Sequence, residues 1–214
     1  MNDLVAIDFA TVAHKPEGLD HISAASLPIA GLSALAGLVT VGELTGGQRV
    51  LVHAGAGGVG SFAIQLAKHL GADVATTAGS ANHDYVRGLG ADIAIDYAKV
   101  DFAEQLEGYD LVFDLVGGEV RHRSFRVLRP GGTIVHLSTP PMTQPLPRDD
   151  VTVKPAVVSY DTRCLDQITK LVRDGAVRPT VDAVFPFSEA VEAYELVSSG
   201  HARGKVVLGM RKTG

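Results

Sequence analysis

A chain of 214 residues is long enough to bury a full core and has the length of one large domain. Its 19 lysines and arginines against 24 acidic residues leave a net charge of −5, with the basic residues scattered, which argues against a nucleic-acid footprint. Cys164 is the lone cysteine, so an internal disulfide and a cysteine-rich structural zinc site are excluded, and a reducing, cytoplasmic setting is expected.

Met1 to Leu4 carries no basic n-region, so no secretory leader is expected. From Ile22 to Gly42 there is no charged residue, a length that raises the question of a membrane helix. Pro28 and several glycines and serines interrupt the stretch, and few large apolar side chains occur in it. The expectation is a buried helix, a turn at Pro28 and a second buried helix, with no membrane span.

Val50-Leu51-Val52 is an apolar, β-prone run that leads into Gly55-Ala56-Gly57-Gly58-Val59-Gly60, and an amphipathic run follows to Leu70. G-x-G-x-x-G between a strand and a helix is the context in which this pattern signals a dinucleotide site. Gly55 permits the tight turn, Gly57 lets a pyrophosphate lie against the backbone, and Gly60 lets the helix pack close to the sheet. Gly58 and Val59 lie at the helix N-terminus, whose free N–H groups and positive dipole favour phosphate.

The second strand reads Asp73 to Ala78. Sites for NAD place an acidic residue at the end of that strand to bind the ribose 2′-OH. Asp73 stands at the wrong end, and the residues that follow, Gly79-Ser80-Ala81-Asn82, are neutral. A 2′-phosphate would meet no repelling carboxylate there. Ser80 and Asn82 can donate to it, and Arg87 is a candidate counter-charge, so NADPH is expected over NADH. The same Ser80 and Asn82 can also serve as helix caps.

Short apolar strands continue at Ile93–Ile95, Asp110–Val116 and Thr133–Leu137, with helical stretches at 81–89, 100–107 and 119–128 between them. After Pro155 to Tyr160 a helix is expected over 162–173, another over 188–199 opened by Ser188, and a closing strand over Lys205–Leu208. Alternating strands and helices imply βαβ units, hence an α/β fold of the Rossmann type: a doubly wound parallel sheet with helices on both faces. The eight histidines never fall at H-x-x-x-H spacing, so no metal site is expected. Arg121-His122-Arg123 reads as a solvated helix face, and Cys164 has no signature of a nucleophile. The loop Gly55–Gly60 and the turn Leu128–Val135 are also similar to S-adenosylmethionine methyltransferases, but those enzymes usually need an acidic residue at the end of the second strand.

Taken together in chain order, several segments resemble the medium-chain dehydrogenase/reductase superfamily, and most closely its zinc-free quinone oxidoreductase branch. They are Lys15–Leu19, Leu27–Ala34, His53–Gly60, Leu89–Asp92, Ile95–Tyr97, Phe113–Gly118, Leu128–Gly132, Phe185–Phe187 and Gly200–Leu208. The resemblance implies a Rossmann domain over 30–172 that binds NADPH. Segments 1–29 and 173–214 would flank it and pack with a GroES-like catalytic domain that this sequence does not contain.

Carried over by position, Ser33 and Gly57, Gly58 and Val59 would lie along the nicotinamide and pyrophosphate. Ser80, Asn82 and Tyr97 would surround the 2′-phosphate end, and Val116 and Gly117 would line the ribose. Leu137 and Ser138 would back the nicotinamide, as would Val158, and Lys205 would approach from the C-terminal segment. Pro28-Ile29-Ala30 replaces the ligating cysteine of zinc-dependent relatives. The implied activity is hydride transfer from NADPH to a quinone or an activated enone or aldehyde, a small-molecule substrate, in a homodimer. The alternative is a dinucleotide-binding module without turnover of its own. No catalytic residue is assigned, and Tyr160 is the nearest titratable candidate.

Overall fold

The computed structural model describes residues 6–137 and 146–210. After an extended N-terminal segment come α1 (His21–Ala25) and α2 (Leu27–Ala34), and α2 continues into a π turn over Leu35–Thr40. The alternating part follows as β1 (Arg49–Val52), α3 (Gly58–His69), β2 (Asp73–Ala78), α4 (His83–Gly88), β3 (Ile93–Asp96), α5 (Phe102–Gln105), β4 (Tyr109–Asp114), α6 (Gly118–Ser124), β5 (Leu128–His136) and β6 (Thr152–Pro155). The chain then runs through α7 (Thr162–Arg173), β7 (Val181–Pro186), α8 (Ala190–Ser198) and β8 (Lys205–Gly209).

Strands β1 to β6 form one parallel sheet in the order β3-β2-β1-β4-β5-β6, the doubly wound topology that the alternation implied. Side-chain alternation sorts the core into two layers. Val50, Val52, Phe113 and Val135 face α2, α3, α4 and α7, while Leu51, Val112 and Ile134 face α5 and α6. Each such fully buried aliphatic side chain stabilises the fold by roughly 1.5–3 kcal/mol relative to exposure. Among the described residues no helix is long and apolar enough to cross a membrane.

Several boundaries differ from those read in the sequence. The break in the apolar stretch falls at Ser26, not at Pro28. Pro28 sits in the first turn of α2, where a missing N–H leaves no intrahelical bond unmade. Helix α6 stops at Ser124, and β5 starts at Leu128, ahead of the Arg129-Pro130-Gly131-Gly132 turn. Helix α5 is only Phe102–Gln105, with the Asp101 side chain accepting from Ala103 N at 3.0 Å as its cap. Strands β6 and β7 were not anticipated. β7 pairs with β8 in a separate parallel ribbon.

Candidate cofactor-binding cleft

β1 ends in a turn that uses its glycines for packing. A Cβ on Gly55 would lie 1.9 Å from Thr76 Oγ1, and one on Gly60 would lie 2.3 Å from the Ala54 carbonyl oxygen, so both hold α3 against the sheet. Gly57 differs, because its Cβ would meet nothing nearer than the Ala54 oxygen at 3.4 Å. The outer face of the loop is therefore open to a ligand at Gly57. Gly57 is also the N-cap of α3 and offers no side-chain acceptor, which leaves the first-turn N–H groups of Gly58, Val59 and Gly60 uncapped by any side chain.

The C-terminal segment closes over this turn. Gly204 N donates to the Ala56 carbonyl at 2.9 Å, and Gly57 and Gly204 form an isolated parallel bridge. The Ser61 and Thr180 hydroxyls meet at 2.8 Å, and the Lys205 stem packs where a Gly58 Cβ would sit. Lys205 is half-buried, forms no ion pair among the described residues, and has its ammonium pKa pushed down by burial. A cation and a helix N-terminus thus converge with no protein carboxylate between them.

A cleft of about 530 Å³ opens at the carboxyl ends of the central strands, where the strand order reverses. His53, Ala54, Ala56 and Gly57 supply one wall, and Thr77 to Asn82 with Tyr97 supply another. Phe102, Val116, Val120 and Arg123 form the third, and Gly200, His201 and Ala202 reach in from the C-terminal segment. No Asp or Glu is among these lining residues.

Of the residues picked from the sequence, Gly57, Ser80, Asn82, Tyr97 and Val116 line the cleft directly. Gly55 and Gly60 shape its floor, and Gly58, Val59 and Lys205 sit at the helix end beside it. Gly117 follows Val116 at φ 83°, a left-handed conformation that favours glycine, and its N–H donates to Asp114 Oδ1 at 2.8 Å. Ser33 is buried in α2, and Leu137 follows β5 half-buried against the core, so neither is a lining residue of this cleft. Ser138 lies outside the described residues. Tyr160 lies in a second groove of about 330 Å³ with Ile29 and Leu32, not in the cleft.

One expectation about charge is overturned, that for the Arg121-His122-Arg123 run. Arg87 is not a lining residue and pairs with Asp84 at 3.6 Å on its own helix. The run Arg121-His122-Arg123 is not a solvated face. Arg121 is 1 % exposed and its Nε donates to the buried Asp114 carboxylate at 2.6 Å, while Arg123 lines the cleft. Residues two apart on a helix point in nearly opposite directions, so the two arginines had to face different surroundings. That spacing was the available signal. Ser80 stands near the Asp96 carboxylate. Asp96 is held below the usual carboxylate range first by the Ala98 N–H, with Lys99 and Ser80 assisting against burial.

His53, which opens the glycine turn, is fully buried between Thr77 Oγ1 at 3.1 Å and Ser124 Oγ at 2.9 Å, edge-on to Phe102 at 4.7 Å. Burial lowers its pKa to about 4; the Arg123 charge adds to the depression and the Asp114 charge opposes it. The folded state therefore stays unprotonated down to about pH 4, whereas the unfolded chain takes up a proton near pH 6.5. Between those values the unfolded state binds more protons, so stability is full above pH 6.5 and falls as pH drops through the window. Between pH 7.5 and pH 5 the loss is expected to be on the order of 2 kcal/mol, and His53→Gln should flatten it. Urea unfolding at pH 7.5 and pH 5 on both proteins measures this.

Residues 89–208 match the family model described as zinc-binding dehydrogenase. The chain is 39% identical over 213 residues to an NADPH-dependent alkenal/one oxidoreductase, chloroplastic, of Arabidopsis thaliana, covering 96% of this chain and 52% of that protein. It is 37% identical to 2-methylene-furan-3-one reductase of Solanum lycopersicum, covering 96% and 51%. Among solved structures, the quinone oxidoreductase from Coxiella burnetii superposes with a TM-score of 0.85 at 39% identity, covering 93% of this chain and 64% of that one. The chain spans about half the length of these two plant relatives. Among the described residues no group of three or more His, Cys, Asp or Glu is placed to hold a metal ion. By sequence and by fold, the chain belongs to the zinc-binding dehydrogenase family of the medium-chain dehydrogenase/reductase superfamily.

Proposed function

We propose that this chain is the cofactor-binding part of an NADPH-dependent oxidoreductase that delivers hydride to a quinone or to an activated enone or aldehyde. The observation that carries this reading is the cleft, with an uncapped helix N-terminus at Gly57 and no carboxylate among its lining residues. A dinucleotide fits these groups. The N–H groups of Gly58, Val59 and Gly60, with Lys205 beside them, hold the pyrophosphate, and Val116 and Gly117 flank the ribose. Ser80, Asn82 and Tyr97 lie at the adenosine end, and Ser33, Leu137 and Ser138 remain assigned to the nicotinamide end by resemblance. NADPH, when bound, supplies the hydride from its nicotinamide C4. The protein's part is to fix the cofactor's face and its distance from the acceptor. A quinone can draw its protons from water, whereas an enone needs a positioned donor.

In this reading residues 30–172 form the cofactor unit, and 1–29 and 173–214 pack with a GroES-like catalytic domain. Large apolar side chains stand exposed on both flanks, Phe9 at 84% and Tyr194 at 73%, which supports a covering partner. The reading is zinc-free, because Pro28-Ile29-Ala30 offers no ligand where zinc-dependent relatives place a cysteine. A homodimer in the cytoplasm is the proposed assembly and setting, the latter supported by the single cysteine. Membership of the dehydrogenase family sets the methyltransferase reading aside. A second reading, binding without turnover, is favoured by one feature: the chain spans about half the length of its plant relatives, and no proton donor is assigned within it.

The test is titration of the chain with NADPH and NADH, followed through the nucleotide's own emission, since the protein has no tryptophan. Tighter binding of NADPH, then turnover with quinones or enones, supports the enzyme; binding without turnover supports the module. Loss of any preference for NADPH overturns the cofactor assignment. Gly79→Asp probes the same point. A Cβ there has only the Tyr97 hydroxyl within 4 Å, at 3.9 Å, so the new carboxylate has room at the cleft, whereas Ala78 is buried. This variant should weaken NADPH roughly tenfold or more while sparing NADH.

A further inference from the structure

We propose that Arg123 is the specificity-determining residue for the phosphorylated cofactor and takes the adenosine 2′-phosphate; this rests on the NADPH reading of the same cleft. Among the described lining residues it is the one lysine or arginine. Ser80, Asn82 and Tyr97 at the adenosine end are neutral and cannot supply the charge. A dianionic phosphate entering a partly desolvated cleft needs a cation, and a guanidinium matches its geometry with paired donors.

The surroundings of Arg123 fit a side chain that changes partner. Its Nη1 lies 3.2 Å from Asp101 Oδ1, with the side chain about one-third exposed at 35%. Its Nε is buried and donates to no group among the described residues, so the guanidinium's hydrogen bonding is incomplete in this position. The guanidinium carbon stands 5.2 Å from the centre of the Phe102 ring, which is itself fixed by the His53 contact, giving the cation a rigid platform. Asp101 does not depend on Arg123. It also accepts from Ala103 N at 3.0 Å as the α5 cap and pairs with Arg126 at 3.8 Å. When Arg123 turns to a phosphate, that carboxylate keeps two partners.

Binding of 2′,5′-ADP and 5′-AMP to the full chain, measured by calorimetry, isolates the phosphate from any redox chemistry. The wild-type protein is expected to prefer 2′,5′-ADP. Arg123→Gln should weaken 2′,5′-ADP roughly ten- to a hundredfold and leave 5′-AMP within about twofold, and Arg123→Lys should fall between. If Arg123→Gln keeps the wild-type preference, or weakens both nucleotides alike, the proposal is wrong and the residue only packs the wall. If the wild-type protein itself shows no preference, the NADPH reading fails, and the assignment of Arg123 fails with it. Arg123→Lys keeps the charge and the stem, so it serves the same comparison should the glutamine variant not fold.

Discussion

Replacing Arg121 with methionine is expected to cost about 3–5 kcal/mol of stability, because it strands a buried charge. Asp114 is 0% exposed at the end of β4. Its Oδ1 accepts from Val116 N at 3.0 Å and Gly117 N at 2.8 Å, and its Oδ2 accepts from Arg121 Nε at 2.6 Å. Methionine fills most of the volume but supplies no donor and no charge, so the carboxylate keeps two amide partners in a medium that penalises ions. A loss of that size is a large share of the roughly 5–15 kcal/mol by which a domain is stable. Adding Asp114→Asn should recover at least half of it, since a neutral amide oxygen still accepts from both N–H groups. Urea midpoints of the two proteins decide the matter; a single-variant loss below about 1 kcal/mol would show that the pair lacks this weight. The pair also acts on the site, because the amides it holds belong to the turn that presents Val116 to the cleft.

That pair marks where the sequence stops being legible. The glycine loop, the seven central elements from β1 to β4 and the missing carboxylate after β2 could be read because each is local: a short apolar run, a spacing, an end of a strand. The two faces of the sheet follow from alternation in Val50-Leu51-Val52 and Leu111-Val112-Phe113. What escaped is set by distant partners. Asp114 and Arg121 are two ordinary charged residues until the fold buries both. β6, with Thr152, Lys154 and Pro155 exposed, has the polar, proline-ended character of an edge strand and little apolar pattern. β7 exists through its ladder with β8, and the reach of Gly200 to Ala202 into the cleft depends on the Gly57–Gly204 bridge. Arg123 differs, since its place in the cleft wall opposite the buried Arg121 was hinted at by their spacing on α6.

Gly57→Val should abolish dinucleotide binding while leaving the fold intact, a combination that no other glycine of the loop can give. Gly55 and Gly60 are closed positions: a Cβ would strike the Thr76 hydroxyl at 1.9 Å from Gly55 and the Ala54 carbonyl oxygen at 2.3 Å from Gly60, so valine there breaks the packing of α3 on the sheet. Gly58 is covered by Lys205 and Gly204. At Gly57 the backbone is φ −75° and ψ 174°, extended geometry that valine adopts readily, and the Cβ contact of 3.4 Å to the Ala54 oxygen is tolerable. The valine methyls then occupy the space through which a pyrophosphate approaches the α3 amides, and charge-assisted bonds to those amides are lost for NADPH and NADH alike. A fall of roughly a hundredfold or more in affinity for both nucleotides is expected, with stability from urea unfolding lowered by no more than about 1 kcal/mol, the cost of valine for glycine at the α3 N-cap. This separates the two ends of the cleft: Gly57→Val removes both cofactors, whereas Gly79→Asp and Arg123→Gln act on the phosphorylated one. Undiminished binding of NADPH by the valine variant would take the glycine loop out of the site, and with it the reading of this chain as a dinucleotide-dependent reductase.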